Sequence, residues 1–369
     1  MQRQSHHASF RTADRGTPVP HFALRQLFWQ AISIVLLATP APLFASPPFR
    51  VDKSATFSVE LTAASPIGEC SIREHCVVWH PVRQRFYLIA DVVPLSNPRH
   101  PNTYDTQLHL WTSPDLAKWT YRGIAVRKGL PGVSYDGYGV ASPAGAAYFK
   151  GRIYVPFSAR RTAAYDHRSI GLAVSGTDPD TLPWSKTERP VSDLPGEDDD
   201  AAVVVVPGDA SLHLYHRTTR TGGYRIVHSR SSDPADPAAW SPAHPVTPRP
   251  SDVRAQELTS AFVLRGRVHL LVIEHLRAGG IRIAHLVSEK PTGPFRATDP
   301  RQRYVPSEIE PPRLAFGGHI TPVLKDGNLA AFFWTVRQRG ARYGLLGYPA
   351  PLNKTISQRR PPAASNAGL

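Results

Sequence analysis

From Cys76 to Tyr348 the chain repeats one pattern five times at intervals of about 60 residues. Each unit has an apolar strand, a tight turn, a second aromatic-rich strand and a third strand. The hairpins are CVVWHPVRQRFYLIA from Cys76, SPAGAAYFKGRIYVPF from Ser142, AVVVVPGDASLHLYH from Ala202, SAFVLRGRVHLLVIE from Ser260 and TPVLKDGNLAAFFW from Thr321. In the first four units a third run ends on a serine: Ser113, Ser175, Ser229 or Ser231, and Ser288. A turn then closes on Trp119, Trp184, Trp240 or Phe295. A small sheet with one apolar face cannot bury itself and must stack on its neighbours around an axis. The repeat therefore predicts an all-β fold, a five-bladed β-propeller with four-stranded antiparallel blades over residues 51–350.

The 37 prolines and 26 glycines fall between apolar strands and read as turn punctuation. No long stretch after residue 50 carries a 3.6-residue apolar period. The fifth unit looks short, with YGLLGYP as its third strand and no aromatic turn behind it. An isolated strand, SATFSVELTA (Ser54–Ala63), is expected to supply its missing outer strand and so join the two ends of the ring.

The ends carry a different message. Residues Leu27 to Leu37 (LFWQAISIVLL) follow Arg25 and precede Ala45-Ser46, the pattern of a secretory signal peptide with cleavage near Ala45. An uncleaved anchor is the alternative, but the apolar run is shorter than the roughly 20 residues a spanning helix needs. Residues 1–46 thus read as a signal peptide with an N-terminal extension, and the expected location is secreted or periplasmic, with no membrane attachment after cleavage. Residues 351–369 read as a disordered tail. An exported location permits a disulfide between the two cysteines, Cys70 and Cys76; the alternative is a pair of free thiols. Their spacing offers no zinc motif. The formal charge is +14. Residues 1–46 hold four arginines and one aspartate, so their removal leaves +11. The excess is scattered arginine without a basic run, which gives no reason to expect a nucleic-acid partner.

In a propeller the innermost strands line a channel, so residues at or just before the first strand of each unit converge on one mouth. Those positions hold Glu74, Ala141-Ser142-Pro143, Asp198 to Asp200, Glu257 and His319. Clustered carboxylates at a channel end suit glycoside hydrolysis, in which one protonated acid donates to the leaving oxygen and an ionised partner activates water or attacks carbon. A third carboxylate would raise the acid's pKa by like-charge repulsion. The same residues also form ordinary turns, and Asp198 to Asp200 could simply cap a loop. Tyr135-Asp136-Gly137-Tyr138 could supply an aromatic platform or a plain turn, and Arg254 could meet a substrate hydroxyl or carboxylate or face solvent. Asp136, Tyr138, Ser142, Arg254 and His319 complete the candidate substrate-binding set. His167, His275 and His285 read as structural, and Trp79, Trp119, Trp184 and Trp240 as packing residues. The Val93–Thr106 insert is the expected pocket rim.

These residues resemble glycoside hydrolase family 43 and its relatives, families 117 and 32. SPDLAKW (Ser113–Trp119) is similar to their recurrent S-x-D-L-x-x-W turn, and the resemblance spans residues 54–350. It implies Glu74 as general base, Asp200 as the pKa modulator and Glu257 as general acid, acting with inversion on a carbohydrate substrate. Inversion implies an acid–base separation of roughly 6.5–9.5 Å. The resemblance also places His319 beside a central Ca2+ ion or water, with no required cofactor. Two departures stand out. The base position holds Glu followed by His75, where the family has Asp-Pro, and V-A-S-P replaces a W-A-P motif in the second unit. The alternative they open is a non-catalytic carbohydrate-binding propeller. A sialidase fits less well, because SPDLAKW lacks the glycine of the S-x-D-x-G-x-x-W box.

Overall fold

The computed structural model describes residues 57–58, 60–61, 70–94, 106–163, 168–193, 196–219, 224–297, 315–337 and 343–349. The expected signal peptide, the C-terminal tail, His167 and most of the Val93–Thr106 insert lie outside the described residues. Among those described the fold is all-β, broken only by a three-residue 3-10 turn at Pro237–Ala239.

The described strands form five sheets. The strands Cys70–His80, Asp198–Val205, Val253–Leu264 and Ala315–Lys325, together with the short Pro143–Gly145, neighbour one another in a closed ring. This is a propeller-like arrangement. The ring encloses a cavity of 320 Å³ lined from every sheet, including Val77, Ala147, Val203, Ala261 and Leu324. Five apolar clusters, each spanning one pair of adjacent sheets, hold the ring together. The last of these pairs joins the first unit to the fifth, where Trp79 and Trp119 pack with Val323 and Phe333. Trp79 also donates its indole N–H to Asp326 Oδ1 at 2.8 Å.

The aromatic turns pack as their sequence suggests. Trp119, Trp184, Trp240 and Phe295 are all buried. An aromatic of this size removes about 150–250 Å² from water, roughly 4–6 kcal/mol at most. Each tryptophan also donates its indole N–H to a carbonyl of its own turn, from Leu116, Pro179 and Pro234 respectively. The serine ahead of three of these turns accepts from an N–H within it: Ser113 Oγ from Leu116 at 2.9 Å, Ser231, rather than Ser229, from Asp233, and Ser288 from Lys290.

The N-terminal strand closes the ring, as expected from its place in the sequence. Phe57–Ser58 pairs antiparallel with Tyr343–Pro349, and Glu60–Leu61 then pairs in parallel with Lys118–Val126 of the first sheet. One short segment thus ties the last sheet to the first.

Three expectations change. The sheets are not uniformly four-stranded; three of the five contain five strands. The second unit has a broken inner strand, with Gly139–Ala141 and Ala147–Phe149 on its own sheet and Pro143–Gly145 paired in parallel with Asp198–Val205 of the next. The break falls at Ser142, whose φ is +54°, a value most side chains avoid. Finally, Cys76 is a buried free thiol, and burial raises its pKa. Cys70 and Cys76 lie on one continuous strand, so their Cα atoms are about 20 Å apart, far beyond the roughly 7 Å limit for a disulfide.

Candidate active site

Near one end of the channel the inner strands carry irregularities that re-aim side chains. In the first sheet Arg73 and Glu74 together oppose a single residue between the pairs Ile72↔Val92 and His75↔Ala90. In the third, the register shifts between Asp199 and Ala202, and Asp200 takes a φ of +49°. In the fourth it shifts between Leu258 and Ser260, one residue beyond Glu257, and in the fifth between Phe316 and Ile320, around His319. A bulge bends its strand and turns a side chain away from the sheet's alternation. Here the bulges gather residues from separate sheets at one mouth.

Arg217 is the hub of that mouth. It stands on Leu212–Thr218, opposite Asp199 in the ladder, and is almost fully buried. Its Nη1 donates to Glu257 Oε1 at 2.9 Å, its Nε lies 3.2 Å from Asp200 Oδ2, and its Nη2 contacts Asp199. The guanidinium packs over the Tyr224 ring, 4.7 Å from its centroid, while Tyr224 donates its hydroxyl to Glu197 Oε2 at 2.8 Å. Arg168 contacts both Asp199 and Glu197, and Ser158 donates to Asp199. His275 Nε2 lies 3.3 Å from Glu257 Oε1.

The proton distribution follows from these contacts. Burial pushes the Asp199 carboxyl up, but the Arg168 and Arg217 guanidiniums outweigh it and hold it at about 2. Asp200 goes the other way: burial raises it well above the usual carboxylate range, Arg217 opposes, and the charges of Asp199, Glu257 and Glu74 add to the rise. Glu257 is held below its ordinary value, because His275 and Arg217 outweigh its burial. Among the carboxyls of this site Asp200 is thus the one pushed up, while Glu257, to which the resemblance assigns the general-acid role, is held down.

Glu74 completes the cluster from the first sheet. Ser142 Oγ donates to Glu74 Oε2 at 2.7 Å, and Arg73 Nη2 lies 3.4 Å from Oε1. Its backbone N–H donates to Asp91 Oδ1 at 2.7 Å. The strained Ser142 of the broken second strand thus meets the carboxylate of the first.

Other candidates fall elsewhere. His319 is buried; its Nε2 donates to the His75 carbonyl at 2.6 Å, and its ring meets the His75 ring edge-on at 4.9 Å. Burial lowers its pKa to about 4 despite the Glu74 charge. With Nε2 donating to that carbonyl, Nδ1 is the ring nitrogen that keeps a lone pair, and among the described residues no three His, Cys, Asp or Glu side chains form a metal cage. Asp136 is buried against Lys186, which also donates to the Arg127 carbonyl, so it works as an internal ion pair. Tyr138 is half-buried, held by its backbone N–H on the Arg160 carbonyl. Arg254 is exposed, and its backbone carbonyl accepts from Arg249; the arginines that meet the carboxylates are Arg73, Arg168 and Arg217. His285 is structural, its ring paired with His269 at 2.9 Å. His275, in contrast, belongs to the site. Arg168, Arg217, Asp91 and His275 all lie on second or third strands, and their only sequence signal is a charged or polar residue inside an otherwise apolar run.

The sequence matches no family model and no curated protein. Its fold, however, is similar to those of solved glycoside hydrolases. A family 117 glycoside hydrolase from the marine bacterium Zobellia galactanivorans superposes with a TM-score of 0.57 at 14% identity, over 80% of this chain and 89% of that one. An endo-arabinase from Bacteroides thetaiotaomicron gives 0.56 at 14% identity, over 79% and 96%. A thermostable family-43 glycoside hydrolase gives 0.55 at 19% identity, over 78% and 91%. At these identities the likeness establishes a propeller-like fold shared with families 43 and 117.

Proposed function

We propose that the chain is a five-bladed, exported glycoside hydrolase that cleaves a polysaccharide or oligosaccharide with inversion, using Glu74, Asp200 and Glu257. The observation that carries this reading is the convergence of carboxylates from three sheets, close enough that Glu74 and Glu257 both raise Asp200. The likeness in fold to families 43 and 117 supports it.

The chemistry needs one proton available to a leaving oxygen and one carboxylate free to take a proton from water. Arg217 bridges Asp200, whose carboxyl is pushed up, and Glu257, whose carboxyl is held down. Glu257 has the more exposed side chain, at 34% against 12%, and is the one a sugar could reach. A bound sugar would cover it, remove water and raise its proton affinity. The proton then passes from Asp200 to Glu257 and on to the glycosidic oxygen, while Glu74 takes a proton from the attacking water. That transfer leaves Asp200 ionised, and the site resets when Glu74 releases its proton to solvent and Asp200 takes one up.

A panel of aryl glycosides and plant and algal polysaccharides, followed by proton NMR of the released anomer, tests this proposal. Release of an inverted sugar is expected; a retained anomer would overturn the mechanism, and no release across the panel would overturn the activity. One observation favours a binding function instead, since Arg217 and His275 keep Glu257 ionised. That reading requires saccharide binding without new reducing ends.

A further inference from the structure

Glu74 owes its direction to a bulge, and the bulge has a keeper. Arg73 and Glu74 together face one residue of the adjacent strand Arg85–Pro94, and that residue is Asp91. The irregularity removes the Glu74 N–H from regular strand pairing, leaving a donor that must be satisfied elsewhere. It donates to Asp91 Oδ1 at 2.7 Å. Asp91 itself is fully buried between Ala90 and Val92, both core residues, and its carboxyl also meets the Glu74 side chain. A carboxyl buried in that core is a poor choice for packing alone, because an apolar side chain would fill the space without losing hydration.

We infer that Asp91 is the positioning residue of Glu74: it fixes the bulge that aims Glu74 into the mouth of the channel, and touches no substrate itself. The importance of that aim to turnover rests on the proposed role of Glu74, but the bulge can be tested without turnover. Burial, followed by the Glu74 charge, pushes the Asp91 carboxyl well above the usual range, against the pull of Arg73. The other groups facing Glu74 are Ser142, Arg73, Asp200 and His319. None of them is bonded to its amide.

The test compares Asp91→Asn, which keeps a neutral acceptor, with Asp91→Ala and Asp91→Leu, which have none. Hydrogen-exchange mass spectrometry on the segment 70–80 reads the Glu74 amide. Exchange there should quicken about 10-fold or more in the Ala and Leu variants, and stay near wild type in Asn. On a substrate that the wild type hydrolyses, kcat should fall on the order of 100-fold in those two with KM changed by less than about 3-fold, and Asn should rescue it. The Leu variant fills the site and keeps the test open if Ala does not fold. Wild-type exchange in Ala or Leu, or an Asn variant as fast as either, would overturn the inference. A wild type that hydrolyses nothing defeats the hydrolase reading instead, and the exchange data still decide the role of Asp91.

Discussion

Replacing Arg217 with methionine removes the charge that touches Asp199, Asp200 and Glu257, while keeping much of the side chain's volume. The arginine side chain is only 7% exposed and Asp199 only 3%, so solvent screens little of their interaction. Breaking a buried pair by removing one partner costs about 3–5 kcal/mol, because the remaining charges stay buried. For a domain of this size that corresponds to a fall in melting temperature on the order of 10 °C. The pH dependence sharpens the test. Asp199 is held down to about 2 from an ordinary 3.8, so its contribution, on the order of 2 kcal/mol, is present above 3.8 and lost as pH falls toward 2. Glu257, also depressed, has the same sign. Asp200 is raised, so its contribution is present at low pH and lost as pH rises through its folded value. Without Arg217 the depressed groups lose a partner and Asp200 rises further. Calorimetric melts of Arg217→Met and wild type should therefore differ most near pH 7 and converge as pH falls toward about 2. A variant melting within about 3 °C of wild type near pH 7, or a gap that widens in acid, would refute this electrostatic account.

Other perturbations reach separate parts of the structure. Deleting residues 51–64 removes the closing pairs to Tyr343–Pro349 and Lys118–Val126 and should lower the melting temperature of the whole domain; unchanged melting would contradict ring closure by that segment. The Cys76 thiol, buried and raised in pKa, should resist a thiol reagent in the native protein and react fully in denaturant, and rapid native labelling would argue against its placement. Ser142→Ala removes the hydroxyl that donates to Glu74 and should lower kcat by roughly 5- to 30-fold, as expected for a hydrogen bond to a charged group worth about 1–2 kcal/mol; kinetics equal to wild type would remove Ser142 from the site.

The sequence and the structure agree where side-chain type and spacing carry the information. Trp119, Trp184, Trp240 and Phe295 mark the outer turns, and the Phe57 segment reads as a strand without a local partner. Glu74, Asp200 and Glu257 stand out because the inner-strand positions can be aligned from unit to unit. Other features are invisible at that level. A bulge adds a residue without altering composition, so neither the exposed aspect of Arg254 nor the direction of Glu74 can be read from alternation. The broken second inner strand turns on one backbone angle, at Ser142. Arg217 and Asp91 sit on second strands, and lateral pairing brings them to the inner carboxylates across sequence separations that no short motif spans. The Cys70–Cys76 bridge failed for a related reason, since nearness in sequence becomes distance along an extended strand.

The central claim is that the gathered carboxylates cleave glycosidic bonds, and Glu257→Gln tests it most directly because the change is nearly isosteric. Reducing-sugar release from the best substrate should fall by at least about 100-fold in the variant, with its melting temperature within a few degrees of wild type. Turnover at the wild-type rate by a folded Glu257→Gln protein would contradict the account.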